Sequence, residues 1–339
     1  APLLQKFGNP PNMGICVACM ERDIAGALGL HRASVVQYLR PEIIAFVLGA
    51  FFSALAFKEY RPRGGSAPFI RFILGMFAMI GALVFLGCPW RTILRLAGGD
   101  GNAISGLLGL ISGIWLGTRF LKAGYSLGKT QPAPSKMAGV AFPLLMFGLL
   151  VLLFIDPQPA DQARGMILFY SLKGPGSQHA SLAVSLSAAL LIGILAQRSR
   201  FCTMGAFRDL ILFKQGHLFS GVAAFFIAAL ATNLLLGQFN PGFAGQPIAH
   251  TMQLWNFLGM TLAGLAFSLS GGCPGRQLFL SGEGDADAAV FASGMIVGAA
   301  ISHNFGLASS PAGIGPNGAI ATIIGLVVCI IIGLTMRRR

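Results

Sequence analysis

The sequence predicts an all-α integral membrane protein of about nine to ten transmembrane helices. Three observations lead there. Only 10% of the 339 residues are charged while 55% are hydrophobic. Apolar runs of spanning length recur along the whole chain, and the basic residues gather in alternate connections. Soluble domains carry about 25% charged residues, so this chain holds too little charge to cover a water-facing surface.

Runs of about 17–25 apolar residues mark spanning helices. They fall at roughly 43–57, 70–87, 103–120, 138–155, 181–197, 218–237, 254–271, 288–304 and 319–336. The first is the shortest. Forty-six glycines suit close helix packing.

The formal net charge of +13 does not describe a nucleic-acid face. Lys58, Arg61, Arg63 and Arg71 share one connection. Arg119, Lys122, Lys129 and Lys136 share a second, Arg198, Arg200, Arg208 and Lys214 a third, and Arg337, Arg338 and Arg339 end the chain. Connections 238–253 and 305–318 hold no Lys or Arg, and 156–180 sets Arg164 and Lys173 against Asp156 and Asp161. This is positive-inside bias. It predicts a multi-pass protein of the cell (inner) membrane with a cytoplasmic C-terminus. The expected surroundings are the lipid bilayer, with no nucleic acid.

The chain also repeats itself. "ICVACMERDI" (15–24) matches "FCTMGAFRDL" (201–210), aligning Cys16 with Cys202, Arg22 with Arg208 and Asp23 with Asp209. "GCPWRTILRLAGGD" (87–100) matches "GCPGRQLFLSGEGD" (272–285), aligning Cys88 with Cys273, Arg91 with Arg276 and Asp100 with Asp285. The two offsets differ by one residue. An odd number of spans separates each motif from its copy, so the copies cross the membrane in opposite senses. The expected organisation is two inverted repeats, residues 1–160 and 161–339, an arrangement typical of secondary transporters with a site at the repeat interface. The span preceding Cys202 has most of its equivalent ahead of residue 1, so a further N-terminal helix is expected there.

Glycine and proline around Cys88 and Cys273 predict re-entrant or broken helices carrying the Cys motifs. Irregular backbone at membrane depth is tolerated where protein buries it or it lines a cavity. Thiols are weak donors and polarizable acceptors, suited to a soft anion with exposed sulfur or selenium. Cys16, Cys88, Cys202 and Cys273 are the expected path. Arg91 and Arg276 follow their cysteines by three residues and would attract negative charge. Cys19, Gly87 and Gly272 are further candidates, and the glycines of 98–101 and 271–275 would let backbone amides approach an ion.

Arg22–Asp23 and Arg208–Asp209 read as bracing ion pairs, because a charged group at the bilayer centre costs about 2.5–3.5 kcal/mol on insertion scales. Asp100 and Asp285 read as braces of the turns, Cys329 as a small buried hydrophobe, and His303 as an interfacial histidine with proton relay as the alternative. No histidine cluster has haem or zinc spacing, and no Walker-type loop is present. No catalytic residue, metal or cofactor is expected. A rival reading is a membrane thiol-disulfide redox enzyme using Cys16 and Cys19, and a passive channel is a third.

"GNPPNMGICVACMERDIAGALGLHR", with the two Cys-Pro phrases, resembles the YeeE/YedE membrane-protein family along essentially the whole chain, most closely the YedE branch assigned to selenium transport. The wider family includes inner-membrane thiosulfate transporters. The resemblance implies inverted halves, re-entrant helices and a central path through Cys16, Cys88, Cys202 and Cys273, with the ion passed between sulfurs by hydrogen bonds. The implied substrate is a small selenium or sulfur oxyanion or a selenide-like species. A cytosolic sulfur- or selenium-carrier protein could receive it. This chain carries Cys-Pro-x-Arg where thiosulfate members tend to carry Cys-Asn.

Overall fold

The computed structural model describes residues 1–159 and 162–337. Asp161, Arg338, Arg339 and the 160/161 division lie outside the described residues. The first half contains α1 (Pro2–Lys6), α2 (Val17–Ala27), α3 (Pro41–Ala56), α4 (Pro68–Phe85), α5 (Pro89–Ala97), α6 (Asn102–Lys122) and α7 (Ala141–Ile155). The second contains α8 (Leu182–Ser199), α9 (Thr203–Phe213), α10 (His217–Leu235), α11 (Gln253–Ser270), α12 (Pro274–Gly282), α13 (Ala286–Asn304) and α14 (Gly318–Thr335). A two-residue antiparallel ladder joins Arg63–Gly64 to Gln131–Pro132, with Arg63 opposite Pro132.

The protein is an all-α multi-pass membrane protein. Every expected span coincides with a helix: α3, α4, α6, α7, α8, α10, α11, α13 and α14. Seven helical stretches are long and apolar enough to cross a bilayer, while α3 and α7 are shorter apolar helices of 16 and 15 residues.

Three of the long stretches are broken helices: Leu182–Phe213 breaks at Arg200, left-handed at φ 53°, before Cys202 caps α9, and the other two break at the Cys-Pro motifs. In Pro68–Ala97 the break falls after α4, where Leu86 adopts left-handed backbone at φ 65°. Cys88 then caps α5, and Pro89 occupies its first turn. Proline is preorganised there and has no N–H to leave unpaired. In Gln253–Gly282 the break repeats: Gly271 lies at φ 87°, Cys273 caps α12 and Pro274 opens it. Glycine takes a left-handed backbone without penalty, whereas Leu86 takes it against its own sterics. The turn ending each short helix repeats as well, with Gly99 and Gly284 both at φ 96°.

Packing partners exchange between the halves. Helix α6 packs along α11, and their counterparts α13 and α4 pack along each other. Glycines make these seams possible. A Cβ on Gly109 or Gly113 would strike the α11 backbone at Phe257 or Thr261, and one on Gly264 would strike Leu110. At the other seam Gly75 lies against Phe291, Gly294 against Phe72 and Gly298 against Met76. Close backbone approach of this kind supplies van der Waals contact where lipid gives no hydrophobic drive. The exchange fails at the outer helices: α7 packs on α3 and α12, but α14 packs on α11 and α4.

Each short broken helix is held by the other half. Beyond α5, Asn240 N donates to Gly98 O at 2.9 Å and Gly101 N to Gly242 O at 2.8 Å. Beyond α12, Arg61 N donates to Glu283 O at 2.9 Å and Arg63 N to Gly284 O at 3.2 Å. The first clamp comes from the connection after α10, the second from the connection after its counterpart α3.

Candidate functional site: paired thiols at four helix N-termini

All four cysteines expected to line the path are N-cap residues. Cys16 caps α2, Cys88 α5, Cys202 α9 and Cys273 α12. These helices are 11, 9, 11 and 9 residues long, and none carries an acid in its first turn. Cap positions normally take Ser, Thr, Asp or Asn, whose oxygens satisfy free N–H groups. Here sulfur does it: Cys16 Sγ accepts from Cys19 N at 3.4 Å, and Cys202 Sγ accepts from Gly205 N at 3.2 Å. The positive ends of four helix dipoles therefore lie at thiols, with no carboxylate of those first turns to neutralise them.

The structure joins the thiols in two pairs. Cys16 and Cys88 sulfurs are 3.7 Å apart. Cys273 N donates to Cys202 Sγ at 3.5 Å. All are buried free cysteines. The pairs thus unite the two motifs within each half. Among the described residues no hydrogen bond links a thiol of one pair to a thiol of the other.

The two arginines differ. Arg91 is fully buried and forms no ion pair among the described residues. Its Nη1 donates to Leu86 O and to Cys19 Sγ at 3.5 Å, and its Nη2 to Ile248 O at 3.2 Å and Pro247 O at 3.4 Å, while Nε has no partner. Leu86 and Ile248, which offer two of those carbonyls, are both non-glycine residues at positive φ. The cation is thus held by backbone dipoles, two of them on strained residues. Arg276 instead meets Glu283 at 3.2 Å. Glu283 stands where the first half has Gly98, so the second copy is neutralised and the first is not.

The other candidates take supporting places. Gly87 leaves room for the Arg91 stem, since a Cβ there would lie 2.9 Å from Arg91 Cδ. Gly272 does the same beside Gln277 and Arg276. Cys19 belongs to the Arg91 pocket, with its thiol also 4.0 Å from Leu86 O. Both Arg–Asp pairs form, at 2.7 Å for Arg22–Asp23 and 2.8 Å for Arg208–Asp209. Asp100 meets Arg95 at 2.6 Å and Asp285 meets Arg63 at 2.7 Å, so each bracing carboxylate has a cation. Cys329 is buried in α14. His303 lies beside His31, with ring centroids 4.5 Å apart and the rings tilted by 35°.

Sequence reasoning passed over Trp90, Arg40 and Glu283. Arg40 is fully buried, meets the second oxygen of Asp23 at 2.8 Å and donates to Gln178 O and Pro175 O. Trp90 packs against Phe46, Phe201 and Phe279 with centroids 5.9–6.0 Å away. Aligning the copies position by position would have flagged Trp90 opposite Gly275 and Glu283 opposite Gly98.

Glycine-packed spans, broken helices and capping thiols define a multi-pass membrane protein with a buried, sulfur-lined interior. The sequence model of the family described as Sulphur transport matches residues 198–336. The chain is also similar to the thiosulfate transporter TsuA of Spirochaeta thermophila, 35% identical over 105 residues, or 29% of this chain and 29% of that protein. The alignment thus spans less than a third of the relative's length. These matches show a likeness to the sulphur-transport family over residues 198–336 and to a thiosulfate transporter over 105 residues.

Proposed function

We propose that the protein imports a small sulfur- or selenium-containing anion along a path through Cys16, Cys88, Cys202 and Cys273, in two inverted halves of an inner-membrane transporter with a cytoplasmic C-terminus. The observation that carries this reading is the meeting of two buried thiol pairs with four unneutralised helix N-termini, beside an arginine that has no carboxylate. Such a site offers positive potential and polarizable partners with few hard donors. It suits an anion presenting a terminal sulfur or selenium better than one presenting only oxygens. The family match and the likeness to a thiosulfate transporter support the same class of cargo. Arg91 is the resident charge, and Arg276 acts under the control of Glu283. The reading requires no cofactor, and the basic inner connections suit delivery to a cytosolic carrier.

The redox-enzyme alternative is weaker, because Cys16 and Cys19 are fully buried and thiol exchange needs access. Uptake of labelled thiosulfate and selenite into proteoliposomes separates the readings. Uptake that disappears in Cys88→Ala and Cys273→Ala and persists in Cys19→Ala is the expected result. A Cys19 mixed disulfide essential to turnover would instead establish the redox enzyme.

A further inference from the structure

Trp90 stands between the two thiol pairs. It lies two residues beyond Cys88 in the first turn of α5. Its ring packs on Phe201, the neighbour of Cys202, at 5.9 Å. It also covers Gly275, two residues beyond Cys273: a Cβ on Gly275 would lie 2.6 Å from Trp90 Cζ2. One indole therefore bridges the positions flanking both pairs, and the repeat makes room for it by placing glycine at the equivalent site. Two tryptophans could not face each other there.

The indole is only 3% exposed, yet its Nε1–H has no hydrogen-bond partner. Buried donors are nearly always satisfied, and this one can only donate. The ring also forms part of the wall of a cavity of about 430 Å³. Ile15 and Phe201, the residues just before Cys16 and Cys202, line the same cavity, with Ile192, Leu195 and Phe225.

We propose that Trp90 is the selectivity barrier between the thiol pairs, and that its indole N–H is a binding subsite for the anion as it passes from one pair to the other. The proposal rests on the transport reading above. The flat apolar ring admits a soft, weakly hydrated anion, and the N–H supplies one directed hydrogen bond to it. A strongly hydrated anion finds one donor where it needs several.

The test uses full-length protein in liposomes. Trp90→Phe keeps a ring and removes the donor. It should raise the half-saturating thiosulfate concentration roughly tenfold, the loss expected for one hydrogen bond to a charged group. Native protein should exclude sulfate, and Trp90→Ala should admit it. In a Trp115→Phe/Trp255→Phe background Trp90 is the sole tryptophan, and its emission should change saturably with thiosulfate. This last readout needs no Trp90 substitution and so stands even if Trp90→Ala fails to fold. Half-saturation of Trp90→Phe within about twofold of native, with Trp90 emission indifferent to thiosulfate, overturns the proposal. If native protein takes up neither thiosulfate nor selenite, it is the transport reading that fails.

Discussion

Asp23 shows how a buried charge is tolerated in this molecule. Its two carboxylate oxygens meet two different arginines, Arg22 and Arg40, and all three side chains are buried. Removing one partner strands the others, which costs about 3–5 kcal/mol for a buried pair. Arg40→Ala should therefore abolish most folded protein, measured by size-exclusion recovery in detergent. Arg208→Ala, at a half-exposed copy of the same pair, should be recovered normally. Arg91 and Arg276 should differ in function rather than folding. Arg91→Gln should weaken thiosulfate uptake roughly ten- to a hundredfold, as expected for losing a charged hydrogen-bond donor. Arg276→Gln should do less, because Glu283 already engages that cation. Equal losses in the two variants, measured as half-saturating concentration, would contradict unequal halves.

At the scale of elements, the glycine seams set the spacing of α4 with α13 and of α6 with α11. Gly75→Val forces a branched side chain into the Phe291 backbone and should cost about 1–3 kcal/mol, the range for overpacked cores. Gly148→Val on α7 meets open space and should leave thermal unfolding in detergent unchanged. The connection after α7 has its own latch. Asp156 accepts from the backbone N–H groups of Met166, Ile167 and Leu168 at 2.7–2.8 Å. Burial opposes its charge, and those three donors outweigh burial, so its carboxyl lies below the usual carboxylate value. A depressed folded pKa stabilises above the unfolded value, near 3.9, and that stability is lost as pH falls through the lower folded one. Limited proteolysis of residues 162–170 should therefore increase only in strong acid, and Asp156→Asn should be cut already at neutral pH.

For the molecule as a whole, the spans were legible because lipid demands long apolar helices and little else. The four thiols were legible because each motif occurs twice. What stayed hidden has no such signature. Helices α2 and α9 are short and carry an Arg-Asp pair, so no apolar run announced them. Trp90 was silent because its partner across the repeat is Gly275, which shares none of its chemistry. The hold on Arg91 comes from carbonyls of Leu86, Pro247 and Ile248, and backbone atoms leave no trace in residue identity. The pairing of Glu283 with Arg276 became visible only when the chain was folded. Symmetry thus read out the plan, and the contacts made where it departs needed coordinates. One such departure makes a prediction for the whole protein: Glu283→Gln should free Arg276 and tighten thiosulfate binding, seen as a lower half-saturating concentration.

The unequal arginines also bear on direction. On the proposed transport reading, an anion meets a bare guanidinium in one half and a neutralised one in the other. Saturation should then set in at different concentrations for influx and efflux. Detailed balance nevertheless forces the ratio of maximal rate to half-saturation to be identical both ways at zero membrane potential when no other ion is carried. Measuring both fluxes at zero membrane potential, with a gradient of one candidate ion imposed, thus reveals a driving partner, if there is one, as a mismatch in that ratio.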